Sequence, residues 1–114
     1  MISAVTIARY ECIAVYIMTN TRNGTLYVGV SSDLPPRIQQ HREGTIEGFT
    51  QKYDCKQLVW WEQHEQMHTA LSREKEIKKW RRAWKLALIE KTNPTWRDLY
   101  EDFVTPPPLR PFKG

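Results

Sequence analysis

Two kinds of apolar pattern divide this chain, and the change from one to the other falls near its middle. Residues 12–18 read Cys, Ile, Ala, Val, Tyr, Ile, Met, a short run rich in β-branched side chains, and the polar stretch Thr19 to Gly24 follows at once. Such a run predicts a strand. Thr25 to Val30 is a second run of the same kind, so the two are expected to pair as an antiparallel hairpin around a loop containing Asn23 and Gly24. If Met18 pairs with Thr25 across a six-residue loop, Tyr16 lies directly opposite Tyr27 and the two phenols share a face. The other face then carries Ile13, Val15 and Ile17 against Leu26, Val28 and Val30, a complete apolar surface for a core. A two-residue turn at Asn23-Gly24 would instead oppose Tyr27 to Asn20 and separate the tyrosines. The first register is preferred because of the chemistry developed below.

Asp33 is placed to cap a helix whose first turn tolerates Pro35 and Pro36, running to about His41 or Arg42 before Gly44 ends it. Arg37 and His41 then stand one turn apart on one face, where both can approach a single phosphate. Residues 44–56 read as a loop, and Gln57 to Glu62, with Leu58, Val59, Trp60 and Trp61, as a third strand. From Met67 to Glu90 the period becomes helical, with Ala70, Ile77, Trp80, Trp84 and Leu88 recurring at spacings of three and four. That stripe is expected to pack on the sheet, with a break in the helix near Arg82 to Trp84. Between its members Lys75, Lys78, Lys79, Arg81, Arg82 and Lys85 form a basic outer surface. Asn93-Pro94 stops the helix. From Thr105 onward four prolines predict an extended, poorly ordered tail.

Composition narrows the class. A chain of 114 residues suits one domain, expected over residues 1–104 with its core at 12–100. Its 40% apolar and 26% charged residues are globular proportions, and no apolar run approaches the roughly 20 residues of a membrane helix, so no membrane partner is expected. The first residues lack the basic leader and long apolar centre of a secretory signal, which makes the cytoplasm the default compartment. Cys12 and Cys55 fit free thiols in a reducing interior better than a disulfide. The net charge of +4 favours a polyanionic partner.

With Ala14-Val15-Tyr16, Tyr27-Val28-Gly29, Arg37, His41 and Glu74 in Glu74-Lys75-Glu76-Ile77-Lys78-Lys79-Trp80, the chain resembles the GIY-YIG nuclease superfamily. The resemblance runs from about Cys12 to Tyr100. It includes the ending Asn93-Pro94-Thr95-Trp96-Arg97-Asp98-Leu99, similar to that of small stand-alone bacterial members. It implies an α+β fold, a three-stranded antiparallel sheet flanked by helices, and metal-dependent hydrolysis of a DNA phosphodiester in a single displacement. The motifs read Ala-Val-Tyr and Tyr-Val-Gly where the family name spells Gly-Ile-Tyr and Tyr-Ile-Gly. Val30 stands where some relatives carry a lysine, and Asn93 matches an asparagine used in some branches.

The residue types suit that chemistry. In-line attack on a phosphodiester needs an oriented water, charge stabilisation on the phosphoryl oxygens and a neutralised leaving oxygen. A phenol with an ordinary pKa near ~10 becomes a workable base beside a cation, a role open to either Tyr16 or Tyr27. Arg37 offers a planar, permanently charged fork for the phosphate, and His41 a supporting hydrogen bond or proton transfer. Glu74, at the flank of the apolar stripe, is the candidate ligand for Mg2+ or Mn2+, and no small-molecule cofactor is expected. Lys78, Lys79, Arg81, Arg82 and Lys85 are the candidate DNA-binding residues.

Each of these residues also has an ordinary structural reading. Hairpin tyrosines usually pack, helix charges are usually solvated, and Glu74 is spaced to pair with Lys78. The tryptophans lie on the core stripe and so are not expected to stack on bases. Two rival functions follow: a nucleic-acid-binding module with the same fold but no cleavage, and a zinc metalloprotease built on His64-Glu65-Gln66-Met67-His68. The second needs one continuous helix through both histidines, whereas this segment falls where a strand passes into a helix, and no third ligand with suitable spacing follows. His64 and His68 are therefore expected in an exposed turn.

Overall fold

A strand buried on both faces has no polar side to show, and residues Ala14 to Thr19 obey that rule: all six are buried. In the computed structural model, which describes residues 12–44 and 52–104, they form β1 (Ala14–Thr19), the centre of a three-stranded antiparallel sheet. Strands β2 (Leu26–Ser31) and β3 (Gln57–Gln63) flank it in the order β2-β1-β3. The helices are α1 (Leu34–Glu43), α2 (Met67–Lys79), α3 (Arg82–Thr92) and the short α4 (Glu101–Val104). The fold is α+β, as the sequence predicts.

The hairpin keeps its expected faces but not its expected register. Met18 pairs with Tyr27 and Tyr16 with Gly29, two residues away from the predicted pairing of Met18 with Thr25. Side chains alternate with a period of two, so an even shift leaves every residue on its face. Val15, Ile17 and Val28 therefore enter one core, with Ile13, Leu26 and Val30 packed against it. The loop still spans six residues, now 20–25, and is closed by Gly24 N–H donating to Thr21 O at 2.9 Å and Thr25 N–H donating to the Asn20 side chain at 3.0 Å.

Strand β3 explains why Leu58, Val59, Trp60 and Trp61 are all apolar. Its pairing with β1 slips between Ile17, opposite Trp60, and Met18, opposite Leu58, leaving Val59 as the extra residue of a bulge. Val59 and Trp60 consequently enter the same core, while Leu58 and Trp61 face the other layer. The outer edge of β3 is sealed by the Asn93-to-Leu99 segment. Leu99 N–H donates to Leu58 O at 2.7 Å, Leu58 N–H to Asp98 Oδ1 at 3.1 Å, and Asn93 Nδ2 to Val59 O at 3.0 Å.

One layer packs α2 and α3 on the sheet through Ala70, Ile77 and Ile89, joined by Trp96 from the segment after α3. The other packs α1 and the C-terminal segment through Leu34, Ile38 and Tyr100 around Tyr16, Met18 and Leu58. The helix expected over Met67 to Glu90 is two helices, parted where Trp80 and Arg81 are both extended, with ψ of 149° and 160°. An unbroken helix of that length would run about 36 Å, well beyond strands of some 20 Å. The break instead returns α3 to the sheet. It also resets the helical phase, so that Trp84, expected in the core, is 51% exposed.

α1 follows its prediction, from Asp33 to Gly44, whose φ of 73° suits the glycine stop. Asp33 makes no side-chain cap; its carboxylate accepts the Cys12 N–H at 3.4 Å. Of the loop expected at 44–56, residues 45–51 lie outside the described ones, and Lys52 and Tyr53 are helical. The proline-rich tail also lies outside them. Both cysteines are free, and burial pushes both thiols up, away from nucleophilic use. No helix among the described residues is long and apolar enough to cross a membrane.

Candidate active site

Three rings meet on the α1 side of the sheet. Tyr16 comes from the central strand, Tyr27 from the neighbouring strand on a diagonal of the ladder, and His41 from the last turn of α1. Their centroids are 6.2 Å apart for the tyrosine pair, 5.6 Å for Tyr16 and His41, and 5.4 Å for Tyr27 and His41. Tyr16 Oη and His41 Nε2 share a hydrogen bond of 2.9 Å, whose direction follows the imidazole tautomer. The diagonal pairing works because Gly29 lies opposite Tyr16. A Cβ there would stand 2.6 Å from Tyr16 Cζ and 2.8 Å from Tyr27 Cε2.

Arg37 lies one turn before His41 on α1 and is exposed, so its guanidinium is available at the rim. Its charge reaches the interior, opposing a charge on His41 and favouring ionisation of Tyr16. Burial dominates both groups. Tyr16, 1% exposed, has its pKa raised far above the ordinary value of 10.0 by desolvation, then by Tyr27, with Glu74 adding in the same sense. His41 is brought down from 6.5 to about 4, first by desolvation and then by Arg37. Tyr16 thus stays a phenol and His41 a neutral imidazole at physiological pH.

The His41 shift makes a test. An unfolded chain takes up this proton near 6.5 and the folded one only near 4. The native state therefore loses stability as pH falls through that window, by on the order of 1–3 kcal/mol for this group. Urea midpoints at pH 7 and 4.5 should show that loss in the wild type and a correspondingly smaller one in His41→Phe. Equal losses would mean that His41 is not held neutral by the fold.

Glu74 lies on the inner face of α2, between the core residues Ala70 and Ile77, and is buried. Its carboxylate meets Lys78 Nζ at 2.6 Å, the pairing its spacing allows, and it also acts on the Tyr16 phenol. Lys78 in turn lines a hollow of about 280 Å³ with Leu26, Tyr27, Val28 and Lys85. Ring contacts thus join Tyr16, Tyr27 and His41; Arg37 stands at the rim of α1 and Glu74 on α2 in the other layer, and both act on the Tyr16 phenol through their charge. A larger hollow, about 520 Å³, is lined by His64, His68, Thr69, Ser72, Arg73 and Glu76, none of which belongs to this set.

The zinc-protease reading does not survive the fold. α2 begins only at Met67, so His64 precedes the helix while His68 is within it. His64 is not an exposed turn residue either. It is half-buried, with Nε2 2.9 Å from Glu62 Oε2 and Nδ1 2.9 Å from Thr69 Oγ1, and only His68 is exposed. Asn93, matched to a functional asparagine in some branches, is a buried knot. Its amide donates to Val59 O and Arg97 O while its oxygen accepts the Arg97 N–H.

The basic residues are divided by the helix break. Arg82 donates to Asn23 O and Gly24 O, each at 2.7 Å, and so ties α3 to the hairpin loop. Arg81 stacks on Trp84 at 5.0 Å, and Lys85 Nζ donates to Lys78 O at 3.4 Å. Lys78 and Lys79 are exposed at the end of α2. Sequence reasoning missed the structural duty of Arg82, for which no local signal exists, and the packing role of Gly29, which the second tyrosine motif contained.

An α+β domain with a central antiparallel sheet and its two motif tyrosines beside an α1 histidine is the arrangement that the resemblance to a nuclease catalytic domain implies. Residues 12–87 match the family model described as the GIY-YIG catalytic domain, and the chain belongs to that family. It is thereby a member of the GIY-YIG nuclease superfamily, which implies a nucleic-acid substrate. UPF0213 proteins of Staphylococcus aureus strains Mu3 and N315 are each 37% identical to it over 76 residues, covering 67% of this chain and 92% of theirs. The solution structure of a UPF0213 protein from Bacillus halodurans aligns with 24% identity and a TM-score of 0.49, covering 78% of this chain and 94% of that one.

Proposed function

We propose that the chain is an endonuclease that hydrolyses a DNA phosphodiester in one displacement, with Glu74 seating a divalent cation. The observation that carries this reading is the gathering of Tyr27 and His41 around Tyr16, where the charges of Arg37 and Glu74 are both felt. The donor set fits a hard cation of modest affinity. Glu74 is a single carboxylate, and no group of three or more His, Cys, Asp or Glu among the described residues is arranged for a metal. Magnesium or manganese held by one carboxylate, waters and substrate suits that set, whereas a zinc site of nitrogen and sulfur ligands does not. When bound, such an ion supplies charge neutralisation at the phosphoryl and leaving oxygens.

The protein groups divide the remaining work. Tyr16, buried and hard to ionise, is the poorer base and holds its neighbours in place through His41. Tyr27, half-buried on the edge strand and bordering the hollow with Lys78, is assigned the attacking water. Arg37 grips the phosphate from the rim. The two free thiols suit a reducing compartment, and the reaction is set in the cytoplasm.

The rival is a binding module without cleavage, using the cations at the α2–α3 junction. A cleavage assay separates them. The wild type should cut DNA only with Mg2+ or Mn2+, and Arg37→Ala should cut about 100-fold more slowly while binding DNA almost as well, because the lost contact matters most in the transition state. Binding without any product would favour the rival.

A further inference from the structure

The carboxylate assigned to a divalent cation already holds a cation of the protein's own. Glu74 and Lys78 stand one turn apart on α2 with Oε2 and Nζ at 2.6 Å. Their surroundings differ sharply: the Glu74 side chain is 12% exposed and that of Lys78 51%. A carboxylate withdrawn from water needs a positive charge at hand, and here it is carried on a flexible four-carbon stem that reaches solvent. The stem also borders the hollow containing Tyr27 and Lys85, so the ammonium has a second place to go. Lys85 does not duplicate it, since its Nζ is donated to the Lys78 carbonyl rather than to Glu74.

Resting on the function proposed above, we infer that Lys78 is a displaceable counter-ion. It neutralises Glu74 while no divalent cation is bound and turns into the hollow beside Tyr27 when one takes the carboxylate. The exchange forms and breaks only ionic contacts. It places a freed ammonium next to the phenol, where a substrate phosphate would lie, so cation loading strengthens phosphate binding. By reciprocity, a phosphate that draws Lys78 off Glu74 strengthens cation binding. Lys78 is on this account a positioning residue, and it supplies from α2 a positive charge beside the second tyrosine motif, where Val30 has none.

The test is Mn2+ binding to the full chain without nucleic acid, followed by electron paramagnetic resonance. Lys78→Gln removes the competitor and should bind Mn2+ about tenfold more tightly than the wild type. Lys78→Arg, whose fork holds a carboxylate more firmly, should bind it more weakly and reports even if the glutamine variant folds poorly. Lys85→Gln removes an equal charge from the same hollow and should change affinity by no more than about twofold. In the wild type, the lysine ammonium resonance of Lys78 should shift as Mg2+ is added. Unchanged affinity in both Lys78 variants, with binding still lost in Glu74→Gln, overturns the exchange alone. Wild-type Mn2+ binding that survives Glu74→Gln overturns the exchange and the proposed metal seat together.

Discussion

Glu74→Gln is expected to reduce metal-dependent cleavage by about 1000-fold or more while leaving a folded protein that still binds DNA. The amide keeps the volume of the carboxylate and therefore its packing between Ala70 and Ile77 on the inner face of α2. What it loses is the negative charge. Lys78 loses its partner but, half exposed, is solvated at little cost. Stability should move by no more than about 1 kcal/mol, so lost activity can be assigned to chemistry. Initial rates with Mg2+ and Mn2+, set beside urea unfolding and DNA affinity, provide the check. A variant that cuts within tenfold of the wild type would remove Glu74 from the reaction and with it the metal seat.

Gly29→Ala should damage the site through packing alone. The added methyl would stand 2.6 Å from Tyr16 Cζ, 2.7 Å from its oxygen and 2.8 Å from Tyr27 Cε2, and these are parts of rigid rings. Tyr16 is enclosed by the sheet, α1 and the C-terminal segment, so it has nowhere to retreat. Overpacking of this kind costs about 1–3 kcal/mol. Displacing the phenols by even ~1 Å should lower the cleavage rate about 100-fold, because the attacking water must be aligned with the phosphate. Gly44→Ala is the control. Its φ of 73° makes an alanine cost about 1 kcal/mol, but nothing lies within 4 Å of the new methyl, and the rate should hold. A Gly29→Ala enzyme of wild-type rate would show that the tyrosine geometry is not critical.

Much of this fold was legible because short-range pattern and long-range packing agree in it. The alternation of Val15 and Ile17 against Leu26, Val28 and Val30 predicted the core face, and Asp33, the two prolines and Gly44 bounded α1. The hairpin register lies two residues from the expected one, because alternation constrains parity and not position. The break in the long helix, expected near Arg82 to Trp84, falls slightly earlier at Trp80 and Arg81, where no glycine or proline marks it. It comes from the need to fold α3 back on a short sheet. Trp84, which the helical period assigns to the core, is turned outward by the resumed helix.

The sequence by itself determined the strands, helices and hairpin faces, which depend on periods of 2 and 3.6, and through its family resemblance the α+β class and the roster of chemically capable side chains. Tertiary structure alone decided that Gly29 makes room for Tyr16, that Glu74 is buried while its partner Lys78 reaches solvent, and that Arg82 holds the hairpin loop. It also decided that the Asn93-to-Leu99 segment seals the outer edge of β3. Those outcomes follow from distances between elements, which steric closeness and the cost of burying unpaired charge settle only once the layers have packed.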